Sequence, residues 1–230
     1  MIDTIIVSGG NIQKDFALPF IKKMFEKKQD ILLIAADKGL DFLLEAGMIP
    51  TAAIGDFDSL SMSGKEYLNH AGKTEVIRLK PEKDDSDTQS ALMYAAGKGA
   101  ENVAILGATG TRIDHLMANL GLLLLGEKMN LRVELFDAYN RISLAKNGEI
   151  LEREKQFGNY VSFFSIGGEV TGLTLEGFKY PLQGYRLKVE DCGLTVSNEI
   201  AENKAKIMFS SGKLLMIMSR DKSAESDEMN

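Results

Sequence analysis

The chain has 230 residues, 44% of them hydrophobic and 26% charged, which is typical of a globular protein with one large domain or two modest ones. Its 27 basic and 33 acidic residues give a net charge of −6, and the absence of a basic run argues against a nucleic-acid partner. A single cysteine excludes an intrachain disulfide, and neither a signal peptide nor a membrane-spanning run is evident, so we expect a cytoplasmic protein without a membrane partner.

In the first part of the chain, short apolar runs alternate with amphipathic stretches. The apolar runs predict strands at 4–7, 31–36, 51–54, 75–79, 102–106 and 131–136. The amphipathic stretches predict helices near 15–28, 39–46, 63–71, 88–98 and 112–126. This alternation predicts an α/β domain over residues 1–143, with a Rossmann-like, mainly parallel sheet flanked by helices. In such sheets ligands bind at the carboxyl ends of the strands.

From residue 144 onward the pattern changes to short segments rich in Gly and Thr. Strands are predicted at 160–165, 193–196, 204–209 and 214–218, and turns at Asn147-Gly148, Gly167-Gly168 and Ser211-Gly212. This part therefore predicts an antiparallel β-sandwich over residues 144–220, followed by a polar tail at 221–230.

Acidic residues gather where predicted strands end. Asp37 follows the second strand, Asp56 and Asp58 follow the third, and Asp84 and Asp87 precede a helix. Two carboxylates about 5 Å apart repel by about 3 kcal/mol at an effective dielectric near 20, and a divalent cation relieves that repulsion. An all-oxygen set of ligands favours Mg²⁺. The alternative is that these aspartates only cap helices and shape turns.

A glycine-containing turn at 107–110 follows the fifth predicted strand and leads into a helix. Backbone N–H groups at such a position suit an anion, although the segment is neither a Walker A loop nor a dinucleotide fingerprint. Arg112 would bind two phosphate oxygens through its guanidinium, or else form a surface salt bridge.

The helix after this turn is expected to bury one apolar stripe. Its members would be Ile113, Leu116, Met117, Leu120 and Leu124. Asp114, His115 and Asn119 would then lie on the opposite arc, open to a cleft.

Four motifs occur together in one order: Ala-Asp-x-Gly, Gly-Asp-Phe-Asp-Ser, Lys-Asp-x-Ser-Asp and Gly-x-x-Gly-x-Arg-x-Asp-His, between Asp37 and Asn119. The segments 176–182 and 195–198 add two C-terminal motifs. The combination resembles the thiamine pyrophosphokinase family. The resemblance implies transfer of pyrophosphate from ATP to the hydroxyl of thiamine, giving thiamine diphosphate and AMP. It also implies a homodimer with thiamine bound near the subunit interface, partly by the β domain at 144–220.

The resemblance also implies roles for individual residues. The metal ligands for Mg²⁺ would be Asp56, Asp58 and Asp87. The remaining catalytic residues would be Asp84, Arg112 and Asp114. Substrate contacts would come from Asp37, Gly39, Gly107, Thr109, Gly110, His115, Asn119, Ser197 and Asn198. Some relatives stack thiamine on a tryptophan, and because this chain has none, a tyrosine or phenylalanine would have to substitute.

Three other functions remain open from the residues alone. A metal-dependent phosphohydrolase could direct water at the same phosphate, and a nucleotide sensor could bind without turnover. A dinucleotide oxidoreductase is disfavoured, because the first turn at 7–11 lacks its glycine pattern. Spacing also does not decide between attack at the β- and at the γ-phosphorus.

Overall fold

The computed structural model describes residues 1–80, 82, 85–110, 112–191 and 193–222. The chain divides into two compact units, Met1–Ala138 and the part from Tyr139 onward. The sequence prediction places the boundary after residue 143, within the strand Asn140–Leu144. That strand pairs with Leu214–Ser219 of the second unit, which is why the division falls before it.

The first unit alternates strands and helices along its whole length. Its elements are β1 (Thr4–Val7), α1 (Lys14–Lys27), β2 (Leu32–Ala36), α2 (Gly39–Glu45), β3 (Ala52–Gly55), α3 (Met62–Asn69), β4 (Glu75–Arg78), α4 (Asp87–Gly97), β5 (Asn102–Leu106), α5 (Ile113–Lys128) and β6 (Arg132–Phe136). All paired strands are parallel, in the order β4-β3-β2-β1-β5-β6, so β4 is an outer strand. Strands such as β1 are buried throughout, because an apolar run can be covered on both faces of the sheet. The predicted α/β fold is confirmed.

The strand order reverses direction between β1 and β5. From β1 the chain builds outward through β2, β3 and β4, and then returns to place β5 on the other side of β1. The loops that follow β1 and β5 therefore lie next to each other: the Ser8 N–H donates to the Leu106 carbonyl at 2.8 Å, and the Gly10 N–H to the Gly107 carbonyl at 3.0 Å. Such a reversal opens a crevice at the carboxyl edge of a parallel sheet.

The second unit is built from antiparallel strands. Its strands are β7 (Asn140–Leu144), β8 (Glu149–Glu152), β9 (Tyr160–Ser165), β10 (Val170–Glu176), β11 (Leu182–Leu187), β12 (Lys204–Met208) and β13 (Leu214–Ser219). β13 pairs with β7 and β9, and a second sheet has the order β11-β10-β12-β8. Apolar residues of both sheets, including Phe163, Leu175 and Met216, form one buried cluster. The predicted β-sandwich is confirmed.

The predicted strand at 193–196 is wrong. The segment forms turns, with Leu194 and Val196 exposed and Thr195 buried. The Thr195 hydroxyl donates to the Phe163 carbonyl, so the polar position of this alternating pattern faces inward. Side-chain alternation alone does not reveal such an inversion.

The predicted orientation of α5 is also wrong. Ile113 is 74% exposed and Met117 63% exposed, whereas the buried positions are Asn119, Leu122, Leu123 and Gly126. Gly126 explains the rotation, because a Cβ atom there would lie 2.3 Å from Cγ2 of Val133. The close approach of α5 to β6 at this glycine turns the stripe 119, 122, 123 and 126 toward the sheet.

Candidate active site

A cleft of about 370 Å³ opens where the loops after β1 and β5 meet, and we call it the switch-point cleft. It is lined by Ser8, Gly9, Gly10, Asn11, Ala36, Asp37, Ser86, Asp87, Thr88, Gly107, Ala108, Gly110, Arg112, His115, Ala118 and Asn119. Seven of these were predicted as site residues: Asp37, Asp87, Gly107, Gly110, Arg112, His115 and Asn119. The loop 8–11 was missed, although two consecutive glycines at the end of the first strand are a signal for close backbone approach.

Glycine is required where the two loops touch. A Cβ atom on Gly10 would lie 2.2 Å from the Gly107 carbonyl oxygen, and Gly107 has a φ of 71°. The floor of the cleft is polar and buried: the hydroxyls of Ser8 and Thr88 are 2.6 Å apart. The loops thus present backbone groups and hydroxyls, which suit a polar ligand.

Asn119 was predicted on an open arc of α5, but it is buried. Its Nδ2 donates to the Ala108 carbonyl at 2.9 Å and so ties the turn 107–110 to the helix. Asn119 therefore supports the wall of the switch-point cleft as well as lining it.

Three carboxylates converge at the ends of two neighbouring strands. One oxygen each from Asp37, Asp56 and Asp58 lies within 4.8 Å of the other two, and we call this group the aspartate cluster. The convergence follows from the parallel register, in which Ala36 of β2 lies opposite Ile54 of β3. The sequence prediction had Asp87 as the third metal ligand; Asp87 lies on the first turn of α4, where its charge contributes to raising the pKa of Asp37.

The Asp37 carboxylate is partly buried. Burial raises its pKa, the hydrogen bond from Ser59 opposes that rise, and the charges of Asp87 and Asp56 add to it. Its Oδ2 accepts a hydrogen bond from the Ser59 hydroxyl at 2.7 Å. Its Oδ1 is buried and has no hydrogen-bond partner among the described residues. An unpartnered buried oxygen beside two further carboxylates fits a divalent cation that prefers oxygen ligands.

Arg112 and Asp114 form an exposed ion pair at the start of α5. The Nε–Oδ1 distance is 3.1 Å and the Nη2–Oδ2 distance is 2.5 Å. The hydrogen bond from Arg112 lowers the pKa of Asp114. The Asp114 carboxylate also accepts the N–H of His115 at 2.9 Å. Arg112 lines the switch-point cleft, and its guanidinium is paired with Asp114, as the salt-bridge alternative predicts.

Two other predicted site residues have structural contacts. Thr109 donates its hydroxyl to Asp137 at 2.5 Å, which closes the turn onto the end of β6. A Cβ on Gly39 would lie 1.9 Å from the Val7 carbonyl oxygen, so only glycine lets α2 begin against β1. The predicted catalytic residue Asp84 lies outside the described residues.

The two predicted residues of the second unit differ in exposure. Asn198 is 1% exposed, and its Oδ1 accepts the N–H groups of Tyr180 at 3.0 Å and Glu199 at 2.9 Å. Its Nδ2 donates to the Tyr180 carbonyl at 2.8 Å. Ser197 is exposed and has a φ of 54°. Asn198 thus fixes the backbone of Tyr180, whose side chain is 55% exposed.

In the part of the chain that the structure describes, every helix is too short or too polar to cross a membrane.

Two family models match the chain. The model described as "Thiamin pyrophosphokinase, catalytic domain" matches residues 22–135, and "Thiamin pyrophosphokinase, vitamin B1 binding domain" matches residues 148–214. Thiamine pyrophosphokinase of Bacillus subtilis (strain 168) is 36% identical over 190 residues, which cover 83% of this chain and 88% of that protein.

Solved structures of such proteins have the same architecture. The crystal structure of thiamine pyrophosphokinase from Bacillus subtilis matches with a TM-score of 0.81 and 32% identity, covering 95% of this chain and 99% of the other. The crystal structure of thiamin pyrophosphokinase from Geobacillus thermodenitrificans matches with a TM-score of 0.80 and 32% identity, covering 96% of this chain and 98% of the other. Yeast thiamin pyrophosphokinase, at 15% identity, shares the fold with a TM-score of 0.77 over 94% of this chain and 86% of the other. The chain therefore belongs to the thiamin pyrophosphokinase family.

Proposed function

We propose that the protein transfers pyrophosphate from ATP to the hydroxyl of thiamine, giving thiamine diphosphate and AMP. The observation that carries this proposal is the position of the aspartate cluster beside the switch-point cleft, with Asp37 belonging to both. A cation site next to a crevice of backbone N–H groups is what a metal–polyphosphate substrate requires. Membership of the family supports the choice of thiamine as the acceptor.

The metal centre would be held by Asp56 and Asp58, with Asp37 or Asp87 completing the set. Mg²⁺ bound there would neutralise charge on the polyphosphate. Arg112 would exchange its Asp114 partner for phosphate oxygens, to which its guanidinium binds in two places at once. Backbone N–H groups of the turn 107–110, at the start of α5, would add to this anion site.

The protein must also position the hydroxyl group of thiamine for attack. The hydroxyl oxygen of thiamine forms a bond to the β-phosphorus, and the bond from that phosphorus to the oxygen shared with the α-phosphate breaks. AMP leaves with that oxygen, and an aspartate of the site accepts the hydroxyl proton. Transfer of this kind depends on alignment and charge neutralisation more than on covalent help from the protein.

We assign part of the acceptor site to the second unit. Thiamine carries a cationic heteroaromatic ring, which binds best on an aromatic face with a few polar neighbours. Tyr180 offers such a face, Asn198 fixes its backbone, and Ser197 offers an exposed polar group nearby in the chain. Tyr180 would take the place of the tryptophan that the chain lacks.

The protein is further proposed to act as a cytoplasmic homodimer. Support for a second copy comes from exposed apolar residues on α5: Ile113 and Met117 lie one turn apart, and both are mostly exposed. Met93 on the neighbouring helix α4 is 50% exposed. Apolar side chains gathered on one face of a protein commonly mark an interface.

The test is incubation of the purified protein with ATP, MgCl₂ and thiamine, followed by identification of the products by mass spectrometry. We expect AMP and thiamine diphosphate in equal amounts, formed only when thiamine and Mg²⁺ are both present. Phosphate release without thiamine would favour the phosphohydrolase, and nucleotide binding without turnover would favour the sensor. Asp58→Asn, which removes one charge of the aspartate cluster and keeps its shape, serves as the inactive control.

A further inference from the structure

Phe57 stands between two residues of the aspartate cluster in a backbone conformation that phenylalanine rarely adopts. Its φ is 62°, in the left-handed region, and its side chain is only 4% exposed. For a residue other than glycine, this conformation costs about 1–2 kcal/mol of free energy. It persists only where the surrounding structure fixes it.

The ring of Phe57 is packed at the ends of the strands that carry the cluster. A Cβ atom on Gly55 would lie 3.4 Å from Cδ1 of Phe57 and 3.2 Å from Cα of Asp37, so the glycine brings the ring and the Asp37 backbone close together. Arg78, which pairs with Gly55 in the sheet, places its guanidinium 5.7 Å from the ring centroid. The ring is therefore anchored on β3 and β4 and lies close to the end of β2.

Glycine at position 57 would adopt the same φ without strain but would have no side chain to anchor. The combination of a positive φ with a buried aromatic ring instead locks the segment 56–58 in one conformation. Within that segment the Asp58 N–H donates to Oδ1 of Asp56 at 3.2 Å, and one oxygen of each aspartate lies within 4.8 Å of Asp37.

We propose that Phe57 is a positioning residue for the metal centre: its buried ring holds the 56–58 segment so that Asp56 and Asp58 present their carboxylates to the same point as Asp37. This inference rests on the metal centre put forward under the proposed function. Phe57 makes no contact with substrate in this role and acts only through the two aspartates beside it.

The test compares Phe57→Leu and Phe57→Ala with a matched control, Phe136→Ala. Phe136 is 5% exposed in the same unit, and its ring centroid lies 4.8 Å from that of Phe20. Its strand β6 is separated by β1 and β5 from β2 and β3, at whose ends the aspartate cluster lies. Each variant is characterised by thermal unfolding, by calorimetric titration with Mn²⁺ alone and with α,β-methylene-ATP, and by the Mg²⁺ dependence of kcat and KM.

We expect Phe57→Ala to weaken Mn²⁺ binding by about tenfold or more, as is usual when the support of metal ligands is removed. Half-maximal turnover should need correspondingly more Mg²⁺, and saturating Mg²⁺ should restore much of kcat. Phe57→Leu, which keeps a buried apolar side chain, should lie between Phe57→Ala and the wild type. Phe136→Ala should lose comparable thermal stability and keep the wild-type affinity for Mn²⁺.

Wild-type Mn²⁺ affinity in both Phe57 variants would overturn the inference and leave the metal centre standing. Failure of the wild-type protein to bind Mn²⁺ in either titration would overturn the metal centre and the inference together. If Phe57→Ala does not fold, Phe57→Leu decides the question. Weakened Mn²⁺ binding by Phe57→Leu at retained thermal stability would support the positioning role of Phe57. Unchanged Mn²⁺ binding would contradict it.

Discussion

The charged form of Asp37 is disfavoured in the folded protein when no metal ion is bound. Burial and the charges of Asp87 and Asp56 raise its pKa above the ordinary 3.8, more than the hydrogen bond from Ser59 lowers it. Because the folded-state pKa is raised, folding is most favoured below the unfolded-state pKa, where the group is protonated in both states. That advantage is lost as the pH rises through the folded-state value.

Asp37→Asn should therefore stabilise the protein at pH 7 when metal is removed with EDTA. Asparagine keeps the shape and tolerates the φ of 48° at this position. We expect a rise of roughly 2–4 °C in Tm at pH 7, which shrinks toward zero near pH 3, together with a loss of thiamine diphosphate formation by orders of magnitude. An unchanged or lower Tm at pH 7 would show that the Asp37 charge is not destabilising.

Arg112 should act on the nucleotide and not on thiamine. Arg112→Ala is expected to raise KM for ATP and leave KM for thiamine near the wild-type value. Arg112→Lys should raise KM for ATP by less, because lysine keeps the positive charge although it cannot bind two phosphate oxygens in the bidentate manner of arginine. Steady-state kinetics with each substrate varied in turn measure the difference. The control is Lys14→Ala, which breaks the ion pair between Lys14 and Glu45. Both side chains of that pair are about 60% exposed, similar to those of Arg112 and Asp114, and the change should alter neither the KM for ATP nor the KM for thiamine. Equal KM values for ATP in Arg112→Ala and the wild type would leave Arg112 with a structural role only.

At the scale of elements, the switch-point cleft depends on the contact between the loops after β1 and β5. In Gly10→Ala the new Cβ would lie 2.2 Å from the Gly107 carbonyl oxygen, so the loops must separate. We expect a loss of about 1–3 kcal/mol in stability and a higher KM for ATP. In the control, Gly121→Ala, the Cβ meets no neighbouring group within 4 Å in the described structure, and helix propensity should stabilise the protein slightly. Wild-type kinetics in Gly10→Ala would mean that this contact does not shape the ATP site.

The loop that carries Tyr180 depends on one amide in the second unit. Asn198→Ala removes the three side-chain hydrogen bonds to Tyr180 and Glu199 and leaves partly buried backbone groups without these partners. We expect a loss of about 2–3 kcal/mol and a higher KM for thiamine, with KM for ATP unchanged. Urea unfolding and steady-state kinetics separate the two effects. Asn147→Ala, which removes a hydrogen bond from the Phe209 N–H elsewhere in the same unit, should affect stability alone. A wild-type KM for thiamine would place the acceptor site elsewhere.

The sequence predicted the elements of the first unit well and those of the second incompletely. In the first unit, inner strands such as β1 and β5 are short apolar runs with helices between them, although the helical period did not give the buried face of α5. In the second unit, β7, β8, β10 and β11 were missed. Gly172 interrupts β10 with a φ of 68°, and Gly184 interrupts β11 with a φ of 62°. Glycines at such irregularities break the alternating pattern on which strand prediction depends.

For the candidate site, the motifs indicated which residue types gather but not how each is used. The aspartates at the ends of β2 and β3 follow from parallel strands meeting at one edge. That Asp37 has an unpartnered oxygen, or that Asn198 directs its amide at the backbone of Tyr180, depends on neighbours far away in the sequence. Contacts of this kind have no local signature, and so only the structure reveals them.

At the scale of the whole molecule, the exposed apolar residues of α5 bear on the proposed homodimer. We expect sedimentation velocity to give a mass of twice 25.2 kDa for the wild type and a shift toward 25.2 kDa for Met117→Glu, because a charge in an apolar interface is costly. Met62→Glu, at an 84% exposed apolar position on α3, should remain dimeric. A wild-type protein that sediments as a monomer would contradict the homodimer.

The outer strand β4 bears on how the protein behaves at high concentration. An outer strand offers unpaired backbone groups to which a strand of another molecule can add, and this is a common start of aggregation. β4 has only four residues, with exposed Glu75 and Arg78 at its two ends. Glu75 is further held by the Tyr94 hydroxyl at 2.7 Å and by Lys98 at 3.1 Å. A strand adding to this edge would have to desolvate those charges, so we expect the edge of the sheet to resist growth into fibrils.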